Sequence, residues 1–283
     1  MGWQFFLLIS ILAESFGRVF QRFLLKGDQS NPVAYLVWFQ FISGCFLLVI
    51  TFFHGFKLPN DPISILPNLL LLPILYGTAG SLIFRALQLI EASVFTILFN
   101  ARAIIVVLGA VFFLKNPFTL IQLLGTILIL AGVVTVSFQK QSMSFKKGEI
   151  FTLIAGLCIA LGALNDSIII NKFDPYTFTT YGFFAPMIFV LLLNFKSAKQ
   201  ILAFPKTKTF PKVFILSALF STAFLSYNLA FLSGRNAAQI AAIFPFSSVL
   251  TVLISVILLK ERQKLPLKII AAMISFLGVI LIS

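Results

Sequence analysis

The chain has 283 residues, 60% of them hydrophobic and only 10% charged, with 35 phenylalanines. No water-soluble domain hides that much apolar surface, so the solvent for most of this chain is lipid. A formal charge of +13 could suggest nucleic acid, but the basic residues are spread over short loops, which fits membrane orientation and anionic headgroups and argues against nucleic acid.

Apolar runs close to the roughly 20 residues that cross a bilayer fall at about 3–25, 33–53, 64–90, 92–114, 118–138, 149–170, 176–195, 212–233, 236–259 and 266–282. They predict an all-α integral membrane fold of ten transmembrane helices. The separators combine Pro, Gly, Asn and charge: Gly27 to Pro32, Pro59 to Pro62, Lys115 to Pro117, Phe173 to Pro175, Pro205 to Pro211 and Lys260 to Pro266. Between the third and fourth runs only Glu91 marks a tight turn.

The N-terminal MGWQFFLLISILAESFG has neither a basic leader nor a small-residue cleavage site and reads as a retained first span. In it, Glu14, Arg18, Gln21 and Arg22 recur on one helical face, with Glu14 in reach of Arg18. Cys45 and Cys158 lie within apolar runs and read as packing residues. The single histidine, His54, stands alone in a loop. In the third run, Pro73 and the stretch Tyr76 to Gly80 make the helix locally soft. The fourth carries Asn100 and, near its centre, Arg102. Asn165 and Asp166 end the sixth, Pro186 interrupts the seventh, and Tyr227 and Asn228 sit in the eighth. The ninth holds Pro245 and the pairs Ala237/Ala241 and Ala238/Ala242, whose spacing suits close helix packing.

Four of the arginines, Arg18, Arg22, Arg85 and Arg102, lie within spans, whereas the lysines keep to loops and span ends. A central charge costs roughly 2.5 to 3.5 kcal/mol on insertion scales, so each needs a partner or a wet cavity. With only Glu14 and Asp166 to balance them, the arginine surplus suits carboxylate or phosphate. The candidate substrate-binding set is Glu14, Arg18, Asn100, Arg102, Asn165, Asp166, Tyr227 and Asn228. The competing reading is structural ion pairing, with Arg22 and Arg85 reaching out to headgroups.

The sequence also repeats itself at an offset of about 145 residues. EASVFTILFNARAIIVVLGAVFFLKN, from Glu91, lines up with NAAQIAAIFPFSSVLTVLISVILLKE, from Asn236, so that Lys115 falls on Lys260. GTILILAGVVTVS, from Gly125, follows AAMISFLGVILIS, from Ala271, with Gly132 on Gly278. Residues 1–140 and 145–283 then form two five-helix repeats, and an odd number of spans per repeat inverts the second.

LKN at 114–116 and LKE at 259–261, each followed by a helix ending in AGVV or LGVI, resemble the EamA branch of the drug/metabolite transporter superfamily. FPFSSVLTVLISVILLKE, from Phe244, resembles that family's proline-containing ninth helix and its terminal acid. The first half departs from the pattern, with Asn100 in place of the proline and Asn116 in place of the acid. Gln40 stands where many members carry arginine. The resemblance implies a secondary carrier of small metabolites with both termini cytoplasmic. The loop charges point the other way, because those after even-numbered helices hold only Lys57, Lys115, Lys172 and Arg235.

The expected activity is alternating-access transport of an organic anion, an amino acid or another zwitterion, in the cell membrane and as a monomer. No ATPase motif is present, so a coupling ion such as a proton, with Asp166 as its candidate site, or exchange would drive it. A flippase for a lipid or lipid-linked sugar shares this physics. An enzyme would need a base or metal cluster that one histidine does not supply, and no cofactor or metal is expected.

Overall fold

In hydrocarbon a backbone N–H or C=O finds no water, so a chain in lipid satisfies itself by coiling. The computed structural model describes residues 2–26, 31–59, 61–102, 104–105, 119–137, 146–169, 172–234, 244, 246–260 and 264–282. The regular structure of these residues is helical, with no strand among them. The helices are α1 (Trp3–Leu25), α2 (Pro32–His54), α3 (Leu66–Leu89), α4 (Ala92–Phe99), α5 (Leu120–Ser137), α6 (Lys147–Ile169), α7 (Pro175–Leu193), α8 (Ala198–Ala203), α9 (Phe210–Gly234), α10 (Phe246–Leu258) and α11 (Leu265–Ile282). Six of them, α1, α2, α3, α6, α7 and α9, are long and apolar enough to cross a bilayer.

Two starts follow from the separators. Asn31 accepts from the Val33 N–H at 2.9 Å and Asp174 from the Thr177 N–H at 3.0 Å, each followed by a proline in the first turn. Elsewhere the structure differs from expectation. The predicted fourth helix does not run unbroken: α4 stops at Phe99, and Asn100 and Ala101 turn through hydrogen bonds to carbonyls three residues back. Asparagine favours such turns because its side chain competes with the backbone. The rest of that run from residue 106, Asn116, Arg235, the alanine pairs of the ninth run, Pro245 and Glu261 lie outside the described residues.

The expected soft stretch of α3 is continuous helix, as is α3 around Pro73 and α7 around Pro186. Proline removes the donor for the carbonyl four residues earlier. For Pro73 that carbonyl belongs to Leu69, and the Tyr181 hydroxyl donates to it at 2.7 Å. Gly77 is there for proximity: a Cβ would come within 3.2 Å of the Pro186 carbonyl oxygen. His54 is not in a loop but ends α2, its ring stacked 4.1 Å from that of Tyr176.

The connector before α9, expected to be a loop, carries α8 flanked by two short 3-10 turns. It folds back onto α2, where the Trp38 indole donates to the Ile201 carbonyl at 2.7 Å and Phe204 meets the Tyr35 ring edge-on.

Lipid and core faces separate cleanly on α1. Phe5, Leu8, Leu12 and Phe16 point outward, while Leu7, Ile11, Ser15 and Arg18 are buried. Across the bundle, α1 packs on α9, α3 on α6, α2 on α7 and α5 on α11. Small and hydroxyl residues provide the adhesion that a hydrophobic effect cannot provide in lipid. Ser217 and Ser221 of α9 donate to the carbonyls of Phe39 and Ser43, and Ser10 of α1 donates to that of Ala223.

Candidate functional site

Each of the six span-length helices contributes to the wall of an internal cavity of about 330 Å³. Four residues of the candidate set line it: Arg18 from α1, Asp166 from α6, and Tyr227 and Asn228 from α9. The periodicity of α1 places Arg18 there, because its apolar outer stripe must face lipid.

Arg18 is 8% exposed and fully engaged. Its Nη2 lies 2.9 Å from Glu14, its Nε donates to the same carboxylate at 3.0 Å and its Nη1 donates to Gln21 at 3.2 Å. The guanidinium also stands over the rings of Phe95, Phe99 and Phe220, 4.9 to 5.8 Å from their centroids. Across the cavity, the Tyr76 hydroxyl donates to Asp166 Oδ2 at 2.6 Å, while Oδ1 is buried without a partner. Asn228 donates to Thr179 at 2.6 Å.

The other candidates lie elsewhere. Glu14 is the counterion behind Arg18. Asn165 faces α3 in a reciprocal pair with Asn68, accepting at 2.7 Å and donating to the backbone carbonyl at 3.0 Å. Asn100, at the break after α4, accepts from Ser248 of α10 at 2.9 Å. Arg102 sits one turn beyond, its guanidinium 4.4 Å from the Phe99 ring centroid and within electrostatic reach of Glu14, Arg18, Tyr76 and Tyr227. It does not line the cavity.

Arg22 turns inward rather than reaching for headgroups. It donates to the Leu87 carbonyl, one of the last four of α3, which have no helical donor. Arg85 is exposed.

Sequence reasoning did not assign Tyr76, Thr179 or Gln40 to the site, nor the phenylalanines that make up much of its wall. A signal existed for Gln40, an amide in the middle of an apolar run. Phenylalanine carried none, since 35 of them are spread along the chain.

A helical bundle with lipid-facing outer stripes and a polar and aromatic hollow walled by six spans defines an integral membrane protein of the transporter type. The chain belongs to the EamA-like transporter family, whose sequence profile it matches twice, over residues 1–138 and 146–283. Among curated proteins none matches it. A solved chain described only as "Crystal structure of protein" is similar in fold, with a TM-score of 0.66 at 14% identity over 99% of this chain and 95% of that one.

Proposed function

We propose that this protein is a secondary carrier that moves a small amphipathic metabolite by alternating access, with ten spans arranged as two five-helix repeats of opposite orientation. The observation that carries this reading is the composition of the cavity wall. In the order of the repeats, α1, α2 and α3 correspond to α6, α7 and α9, so each half contributes the same three helices. The packing follows the same exchange. Swapping the halves turns the α1–α9 contact into α6–α3 and returns α2–α7 and α5–α11 to themselves. A solute held between two such halves is released on either side as they rock against each other.

On this reading the protein acts as a monomer in the cell membrane, driven by an ion gradient or by exchange. The hollow suits a compact solute with an apolar body and a few polar groups, since its wall mixes phenylalanines and aliphatic side chains with a small polar set. Among the described residues the buried groups form no nucleophile and base constellation, which makes an enzyme the weaker reading.

Gly182 allows a direct test. It lines the cavity, and a Cβ added there meets no atom within 4 Å. Gly182→Leu should therefore fold normally while filling the hollow. Proteoliposomes loaded with a defined mixture of amino acids, organic acids and amines would be followed by mass spectrometry. The wild type should release at least one class faster than protein-free vesicles, and Gly182→Leu should fall back to that background. Equal release by both proteins, or none by the wild type, would count against the proposal.

A further inference from the structure

Buried hydrogen-bonding atoms nearly always have partners, so those in a cavity wall that lack one indicate what the cavity is shaped to hold. Among the described residues, two cavity-lining side chains have such an atom, Asp166 Oδ1 and Gln40 Oε1, and both are acceptors.

The strongest donors of the wall, in contrast, are engaged. Arg18 donates to Glu14 and Gln21, Tyr76 to Asp166, and Asn228 to Thr179. The charged groups in or beside the cavity are Arg18, neutralised by Glu14; Arg102, outside the wall and over Phe99; and Asp166, which has no cationic partner among the described residues. An anionic solute would meet an uncompensated carboxylate and leave both acceptors unsatisfied. A cationic nitrogen brings N–H donors to Asp166 and an apolar body to the rings, whose faces attract cations.

We propose that the cavity selects solutes bearing a protonated amine, with the ammonium held at Asp166 Oδ1 and the apolar remainder against Phe183, Phe220 and Phe224. The site rests on the cavity geometry, and its use in transport rests on the carrier reading above. The expectation of an anion cavity drew on the arginine surplus. The geometry engages Arg18 within its own helix and places Arg102 outside the wall.

The test uses three probes with one apolar body: 2-phenylethylamine, 3-phenylpropionate and 2-phenylethanol. Binding to the purified protein in detergent is measured by calorimetry for the wild type, Asp166→Asn and, as a control on an exposed loop, Asp61→Asn. A hydrogen-bonded charge contact predicts at least about tenfold tighter binding of the amine than of the alcohol, with the propionate weakest. Asp166→Asn should remove the amine's advantage and leave the alcohol's affinity within about threefold, whereas Asp61→Asn should behave as wild type. Propionate binding as tightly as the amine, no amine binding, or an unchanged preference in Asp166→Asn would overturn the site.

Should Asp166→Asn fail to run as a single species on size exclusion, the ranking of the three probes on the wild type still decides. Counterflow of radiolabelled phenylethylamine in proteoliposomes separates the two readings. Binding without counterflow keeps the site and sinks the carrier, and counterflow indifferent to Asp166 does the reverse.

Discussion

Tyr76 and Asp166 come from helices 90 residues apart in sequence, and their bond depends on the absence of a side chain at Gly162. A Cβ at Gly162 would lie 2.9 Å from the Tyr76 ring carbon Cζ and 3.2 Å from its hydroxyl. Gly162→Ala should push the ring aside and lower stability by about 1 to 3 kcal/mol, read as a fall in Tm. Gly156→Ala on the same helix, with nothing nearer than 3.6 Å, should leave Tm unchanged. At this scale the sequence reveals which residues are expensive but not which of them meet. Glu14, Arg18, Asp166 and Asn228 stand out because polarity in a span demands a reason. The partners Tyr76 and Thr179 are ordinary in their own helices and acquire a role only through packing. The Glu14–Arg18 pair was legible because it lies within one helix, whereas the inward turn of Arg22 depends on where α3 ends.

Among the elements, α5 and α11 cross at the closest backbone approach tied to the sequence repeat. A Cβ on Gly278 would lie 2.7 Å from the Gly125 carbonyl oxygen and 2.8 Å from the Ile129 nitrogen, and one on Gly132 would lie 2.8 Å from the Ala271 oxygen. Backbone cannot give way as a side-chain tip does. Gly278→Val should force the two helices apart and lower the detergent Tm by several degrees, as expected for a loss of about 1 to 3 kcal/mol. The repeat places Gly132 on Gly278, but that Gly132 packs against Ala271 and Ser275 while Gly278 packs against Gly125 and Ile129 emerges only from the helix pairing. Long apolar runs were legible as α1, α2, α3, α6, α7 and α9. The interruption at Asn100 was not, because apolar residues continue through it and hydropathy does not register a turn. The connector holding α8 was missed for the opposite reason: lysines and Pro205 read as loop, and its burial is supplied by Trp38 and Tyr35 from another helix.

The molecule as a whole matches its family twice, and each matched stretch sends three helices to the cavity. Ion pairs tie distant parts together: Lys268 of α11, 1% exposed, reaches Glu91 in the two-residue joint between α3 and α4. The pairing of Glu14 with Arg18 is of a different kind, since both partners belong to α1. It forms as soon as that stretch coils, before any later span has left the ribosome. When α1 meets the insertion machinery it therefore carries an internally compensated charge where a lone arginine would stand. Glu14→Gln should expose that arginine and reduce membrane integration of a fragment comprising α1 alone, measured by glycosylation mapping in microsomes. Integration equal to wild type would remove this role. Reduced integration would make Glu14 a residue of biogenesis, freeing insertion of α1 from the order in which the rest of the bundle assembles.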